Sequence, residues 1–379
     1  MAIELSNLTF TEQDDIVPPS GVEQIVNTGI ANTLGGNDII TGTVDRYSIP
    51  IVIYGNDGER DRITAIYNDT GGIINTDDGN DIITGINQGL EGGVGINSDG
   101  IYNQGTINTG DGNDIITGIT QGLEGGVGIF NLPGSIINTG DGDDTIMSMG
   151  NVILSSGIVI LDDSTLDTGN GNDRISGDGS TGFANYSLTF NTGDGNDTIT
   201  GNCTEYGGIG LLNEQFMNTG DGDDIITGIN DLTGIYNNSG PGIQNGHSGI
   251  IDTGNGNDII TSIGVVFNIG IINTGNGADS IIADRGFIRF NNFEDKGSVF
   301  LENGKDYLKG FGSGDFNGGN GKDTLELTPG SYTVEISGTM VNFTKDSITM
   351  KTSEFEKLKA GGTTYDFTSL TEGQIIIVA

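Results

Sequence analysis

The chain alternates short apolar and polar runs with glycine-rich polar stretches. In Ile107-Asn108-Thr109-Gly110-Asp111-Gly112-Asn113-Asp114-Ile115-Ile116-Thr117, one isoleucine precedes the polar stretch and others follow it. Successive side chains of an extended strand point to opposite faces. Ile107 and Ile116 are therefore expected to enter a core from two strands. The stretch between them is expected to turn and to set the Asp114 carboxylate on the edge, facing away from Ile116. Gly110 and Gly112 suit such a turn because glycine tolerates positive φ. The intervening segments add short Gly-Ile strands, such as Gly100-Ile101-Tyr102 and Gly128-Ile129-Phe130. No part of this region sustains the 3.6-residue period of a helix. The predicted class is all-β.

The turn recurs. Anchored on its last aspartate, it stands at Asp81, Asp114, Asp144, Asp173, Asp197, Asp224, Asp258 and Asp279, with looser copies at Asp38, Asp61, Asp306 and Asp323. The anchors lie about 26 residues apart on average, a period typical of repeat arrays. A strand–turn–strand unit cannot bury its own apolar face and must stack on its neighbours. The expected architecture is a parallel β-solenoid, β-helix- or β-roll-like, with one glycine-Asp turn per coil. Residues 31–326 are assigned to the solenoid, 1–30 to an N-terminal cap and 327–379 to a small β-rich C-terminal cap. In that last segment, residues 331–336, 340–343, 347–350 and 374–378 read as strands. Ser353 with Glu356 three residues on has the form of a capping box, which predicts a short helix through Lys359.

Composition narrows the function. With 52 acidic residues against 14 basic, the net charge is −38, which argues against a nucleic-acid partner. No apolar run reaches the ~20 residues of a transmembrane helix. The 53 Ile against 19 Leu favour strands over helices. Cys203 is the sole cysteine, so no internal disulfide forms. The start, Met1 to Asn7, lacks the basic and apolar regions of a cleaved signal, so none is expected. Residues 1–290 hold 39 acidic and 6 basic residues and no lysine, so the charge concentrates in the repeats.

Stacking places each turn's aspartate over the next, about 4.8 Å away. A row of carboxylates that close repels strongly, so cations are expected between them. Oxygen donors with backbone carbonyls suit Ca²⁺ better than Zn²⁺ or Mg²⁺. Gly318-Gly319-Asn320-Gly321-Lys322-Asp323-Thr324-Leu325-Glu326 resembles the RTX (hemolysin-type) calcium-binding nonapeptide at every specified position. The other copies resemble it with Thr in place of the first Gly. The resemblance implies Ca²⁺, several ions and roughly one per pair of stacked turns, held by turn carbonyls and aspartates. The ligands it nominates are Asp38, Asp61, Asp81, Asp114, Asp144, Asp173, Asp197, Asp224, Asp258, Asp279 and Asp323. The glycines of those turns are Gly110, Gly112, Gly140, Gly142, Gly193, Gly195, Gly220, Gly222, Gly254 and Gly256. Leu34 and Asp77 replace glycine, and the turn at Asp61 carries an extra residue. The resemblance also implies type I secretion, with residues 327–379 serving as export region as well as cap, and folding on calcium outside the cell.

The expected function is a secreted calcium-binding structural or adhesive protein of the extracellular matrix or cell surface. Its candidate partners are extracellular glycans or other copies of itself. Tyr102, Tyr206 and Tyr236 are candidates for a contact surface. No catalytic constellation stands out, and no enzyme is expected; the only histidine, His247, is expected to lie exposed. Two alternatives remain. One is a polysaccharide lyase or epimerase, for which Arg60 and Arg62 are the place to look. The other is an ice- or surface-binding solenoid. For it, Thr41, Thr64, Thr84, Thr117, Thr200, Thr227 and Thr261 each follow a turn aspartate by three residues, with Ser176 continuing the column and Met147 and Ile282 interrupting it.

Overall fold

The structure, a computed structural model, describes residues 2–18, 23–45, 52–53, 62–89, 97–121, 125–150, 154–231, 240–288 and 297–379. One coil shows the plan. Asn97–Asn103 lies in a first sheet, here sheet A; Thr106–Asn108 lies in sheet C; residues 109–114 turn; Ile115–Thr120 lies in sheet B. Val127–Asn131 then returns to sheet A and pairs in parallel with the strand one coil below, Ile101 opposite Ile129. Repetition of this path gives an all-β parallel solenoid with three long sheets.

The coil varies in length at the corner between sheets B and A. Ser180 alone separates Arg174–Gly179 from Thr181–Asn185, whereas six residues separate Thr120 from Val127. The glycine turn stays constant at the opposite corner. This explains a fixed motif with a variable gap.

Each strand contributes an inward column. Ile101 from sheet A, Ile107 from sheet C and Ile116 from sheet B are fully buried in one continuous core. Gly118 also faces inward. A methyl there would overlap the carbonyl of Gly128, so this glycine marks the close approach of sheets B and A. At the end of most sheet-A strands an asparagine is buried. Asn68 Nδ2 donates to Asn103 Oδ1 (2.8 Å), and Asn103 to Asn131 (2.8 Å). The ladder resumes at Asn185, Asn213, Asn245 and Asn268.

The first residues already take part in the stack. Ala2–Glu4 pairs in parallel with Gln24–Asn27, and Leu5 closes that end of the core. At the other end, Gly330–Ser337, Met340–Lys345 and Ile348–Ser353 form an antiparallel meander, and Ile375–Val378 joins its edge. The ring of Tyr332 packs on Phe311, 4.8 Å between centroids. The helix expected from Ser353 to Lys359 is absent. Ser353 ends a strand beside Asn317, and Lys357–Ala360 adds a rung to sheet B over Thr324–Leu327. The Lys-Leu-Lys-Ala alternation, exposed and buried in turn, outweighs the capping-box pattern. Among the described residues, no helix is long and apolar enough to cross a membrane.

Candidate metal centre

The turn aspartates do stack, but they face inward. Asp114 and Ile116 are both buried, as two residues apart on one strand should be. The expectation that they face opposite ways is therefore corrected. The turn aspartate is the first inward position of the sheet-B strand.

The stack is hydrogen-bonded in one direction. The N–H of Asp38 donates to Asp81 Oδ1 (2.7 Å), that of Asp81 to Asp114 Oδ1 (2.8 Å), and that of Asp114 to Asp144 Oδ1 (2.8 Å). The same bond links Asp144, Asp173, Asp197, Asp224, Asp258, Asp279, Asp306 and Asp323 in order. The N–H of Asp15 starts the ladder by donating to Asp38 Oδ1, and Asp323 N–H ends it on Glu356 Oε2 (2.7 Å). Thus Glu356, read as a helix cap in sequence, supplies the terminal carboxylate.

Each of these carboxylates has one satisfied oxygen and one orphan. The Oδ2 atoms of Asp38, Asp81, Asp114, Asp144, Asp173, Asp197, Asp224, Asp258, Asp279, Asp306 and Asp323 are buried with no hydrogen-bond partner. Native proteins rarely leave buried polar atoms unpaired, and repetition over eleven coils is not chance.

Burial pushes these acids up, and neighbouring rungs add to it. Asp144 and Asp173 rise to about 7 and Asp224 to about 8, in each case mainly by desolvation, then by the carboxylates alongside. Asp81, Asp197, Asp258 and Asp323 rise to about 6 and Asp306 to about 7, mainly through burial. Asp38, Asp114 and Asp279 are raised for the same main reason. A threonine hydroxyl beside most rungs pulls the other way, as Thr109 does on Asp114, although it donates its hydrogen to Thr139 O (3.3 Å).

The glycines hold the turns in contact. Gly110 has φ +89° and Gly112 φ +148°, and the same pair of values recurs at Gly140 and Gly142, Gly193 and Gly195, Gly220 and Gly222, and Gly254 and Gly256. A methyl on Gly112 would overlap the carbonyl of Gly79, and one on Gly142 that of Gly112. Leu34, Asp77 and Glu302 occupy the first glycine position and keep its left-handed φ, at 71°, 58° and 62°.

Among the described residues, no three acidic, histidine or cysteine side chains converge on one point. Each described turn supplies a single buried carboxylate, so further ligands for a cation there would be backbone carbonyls or neutral side-chain oxygens. No described turn has the compact ligand set of the zinc type. A carboxylate joined by such oxygens matches the mixed oxygen set that Ca²⁺ accepts.

Other nominated residues fall elsewhere. Asp61, with Arg60 and Tyr236, lies outside the described residues; the rung next to Asp38 is Asp81. Asp306, not nominated, is a full rung; Glu302 and Lys305 in its turn obscured it. Arg62 grips the buried Asp99 with Nη1, 3.0 Å and 3.2 Å from the two carboxylate oxygens. Its guanidinium lies 4.8 Å from the centroid of the Phe130 ring. Tyr102, expected on a contact surface, is buried between Tyr67 and Phe130, whereas Tyr206 is exposed. His247 is exposed. Thr64 is buried in sheet A and does not belong to the threonine column.

The fold and the ladder define a parallel β-solenoid with a single file of buried aspartates. No protein-family model matches the chain, and no curated protein matches it. Among solved structures it is similar to a hyperactive, Ca²⁺-dependent, β-helical antifreeze protein from an Antarctic bacterium. That match has 17% identity and a TM-score of 0.38, and covers 84% of this chain and 78% of the other.

Proposed function

We propose that this chain is a secreted, RTX-like calcium-binding scaffold that folds when Ca²⁺ fills its aspartate ladder. The observation that carries the reading is the file of eleven orphaned Oδ2 atoms. Each would give a cation one anionic oxygen, and the turn carbonyls around Gly110 and Gly112 and their counterparts would complete the oxygen set. A bound Ca²⁺ supplies charge neutralisation between rungs and nothing more. The protein's own groups do the rest: the glycines bring the coils together, and each Asp N–H orients the next carboxylate through Oδ1.

Where free calcium is scarce, the rungs repel and the coils stay extended, a form suited to export. Outside the cell, calcium near the millimolar range drives assembly. The product is a rigid extracellular element of a matrix or cell surface, with no catalytic role. The locked Arg62–Asp99 pair supports a structural rather than a substrate-binding duty for the one arginine nominated for sugar chemistry that the structure describes.

The test is a calcium titration of chelator-treated full-length protein, followed by far-ultraviolet circular dichroism and by ion counting. The β signal should grow as roughly one ion per pair of stacked turns binds. A spectrum unchanged across the titration, with no ions retained, would sink the reading. Export is checked by expressing the full chain with and without a type I exporter; equal amounts in both media would refute that part.

A further inference from the structure

Over eight successive strands, the outer face of sheet B is periodic and nearly free of charge. Its strands are in strict register, so outward residues line up in three columns. The middle column holds Thr41, Thr84, Thr117, Met147, Ser176, Thr200, Thr227 and Thr261. Isoleucines flank it on both sides in four of these eight rows: Ile82-Thr84-Ile86, Ile115-Thr117-Ile119, Ile225-Thr227-Ile229 and Ile259-Thr261-Ile263. From the strand Ile39–Val44 to the strand Ile259–Ile263, Arg174 and Asp178 are the only charged groups in these columns, in a chain of 52 acidic and 14 basic residues. Ile225, Ile259, Ile263, Met147 and Met149 are exposed, each at 38–44%.

The dimensions follow from the backbone. Rows repeat about every 4.8 Å along the axis and columns about every 6.8 Å across it, giving a face of roughly 500 Å². That is less than the ~800 Å² per partner of a standard protein interface. Two such faces meeting would also bring together two bodies of net charge −38. A second copy is therefore a poor occupant. An uncharged, rigid partner that repeats on the same few-ångström scale in two directions is a good one. Methyl columns order adjacent water, and a hydroxyl column between them anchors it by hydrogen bonds.

We propose that the outer face of sheet B, with its threonine-rich column and the isoleucines beside it, binds ice. This goes beyond the calcium reading and does not depend on which cation fills the ladder.

The test uses full-length protein in calcium, with its fold verified by circular dichroism in every variant. The fraction captured by a slowly growing ice front is measured alongside thermal hysteresis. Wild type should enter ice. The double variant Thr84→Lys/Thr117→Lys, which puts charge in two central rows, should be captured about tenfold less, the scale of loss when charge is forced into an apolar contact. The variant Thr106→Lys, on the outer face of sheet C, should match wild type. Exclusion of folded wild type from ice would overturn the proposal. So would equal capture of the double variant, equal loss in Thr106→Lys, or a dimer in sedimentation that the double variant dissociates.

Discussion

The backbone N–H of Asp114 donates to Oδ1 of Asp144 at 2.8 Å, while Oδ2 of that same carboxylate is buried without a partner. The first contact fixes the register of two coils. The second leaves a charge-bearing atom that only a proton or a cation can satisfy. Each inner rung carries both, so fold and ion demand are set by one side chain per coil.

Acid should stabilise the metal-free chain. A rung in the unfolded chain titrates near 3.8, whereas in the fold Asp144 rises to about 7 and Asp224 to about 8. A group whose pKa is raised on folding favours the native state when protonated. That contribution is full below pH ~4 and is lost as pH climbs through the folded values, over roughly pH 6 to 8. In chelator the folded fraction, and the Tm of what remains folded, should therefore fall from pH 5 to pH 8. Added calcium should restore it at pH 8 and matter little at pH 5. A chelated Tm that rises over this range contradicts the ladder.

Asp224→Asn separates the proton from the ion. The amide keeps an oxygen for the N–H of Asp197, but it carries no charge. In chelator at pH 8 the variant should be more stable than wild type, since a costly buried anion is gone. In saturating calcium it should be less stable and retain fewer ions. Melts and ion counts in the two buffers check this. The same sign of change in both would show that Asp224 does not hold a cation.

Much of this was legible because β periodicity is short. The recurrence of Gly-x-Gly-x-Asp located the turns, and Ile107 and Ile116 located the core. The inward aspartate was also written in the sequence: Asp114 and Ile116 differ by two positions and must share a face. Two things were not legible. Glu356 lies 33 residues from its partner Asp323, and a local Ser-x-x-Glu pattern offered a plausible helix instead. The width of the sheet-B face was hidden because the isoleucines beside Thr117 show their direction only once register is known. The second isoleucine of Ile115-Ile116 points in and the first points out.

Gly112→Ala should cost far more than Gly134→Ala. Both glycines have positive φ, at 148° and 78°. Around Gly134 an added methyl meets nothing, so the cost is the ~1–2 kcal/mol of left-handed backbone. At Gly112 the methyl would also overlap the carbonyl of Gly79 and push two coils apart. Chemical denaturation in calcium should show the first variant losing at least twice what the second loses. Conversely, Leu34→Gly should gain about 0.5–1 kcal/mol by relieving a left-handed leucine.

The asparagine ladder makes a last, asymmetric prediction. Asn213 Nδ2 shares its two hydrogens among Asn245 Oδ1 (2.9 Å), Gln215 O (2.9 Å) and Ile250 O (3.0 Å), and its own Oδ1 accepts from Asn185 (2.8 Å). Asn213→Ile removes all of these inside the core and should cost about 2–4 kcal/mol, as orphaned buried amide groups do. Yet the chain itself carries isoleucine at the equivalent place: Ile160 stands opposite Asn131 on one side and Asn185 on the other. That break takes an acceptor from Asn131 Nδ2, which still reaches Thr165 O (2.9 Å), while Asn131 Oδ1 keeps its bond from Asn103 Nδ2 (2.8 Å). On the far side, Asn185 Oδ1 accepts from the N–H of Ser187 (3.0 Å). Ile160→Asn, whose amide can accept from Asn131 Nδ2 and donate to Asn185 Oδ1, should therefore cost clearly less than Asn213→Ile, about 1 kcal/mol. Chemical denaturation of the two variants reads the contrast, and equal losses would show that the amide ladder does not discriminate between the two sites.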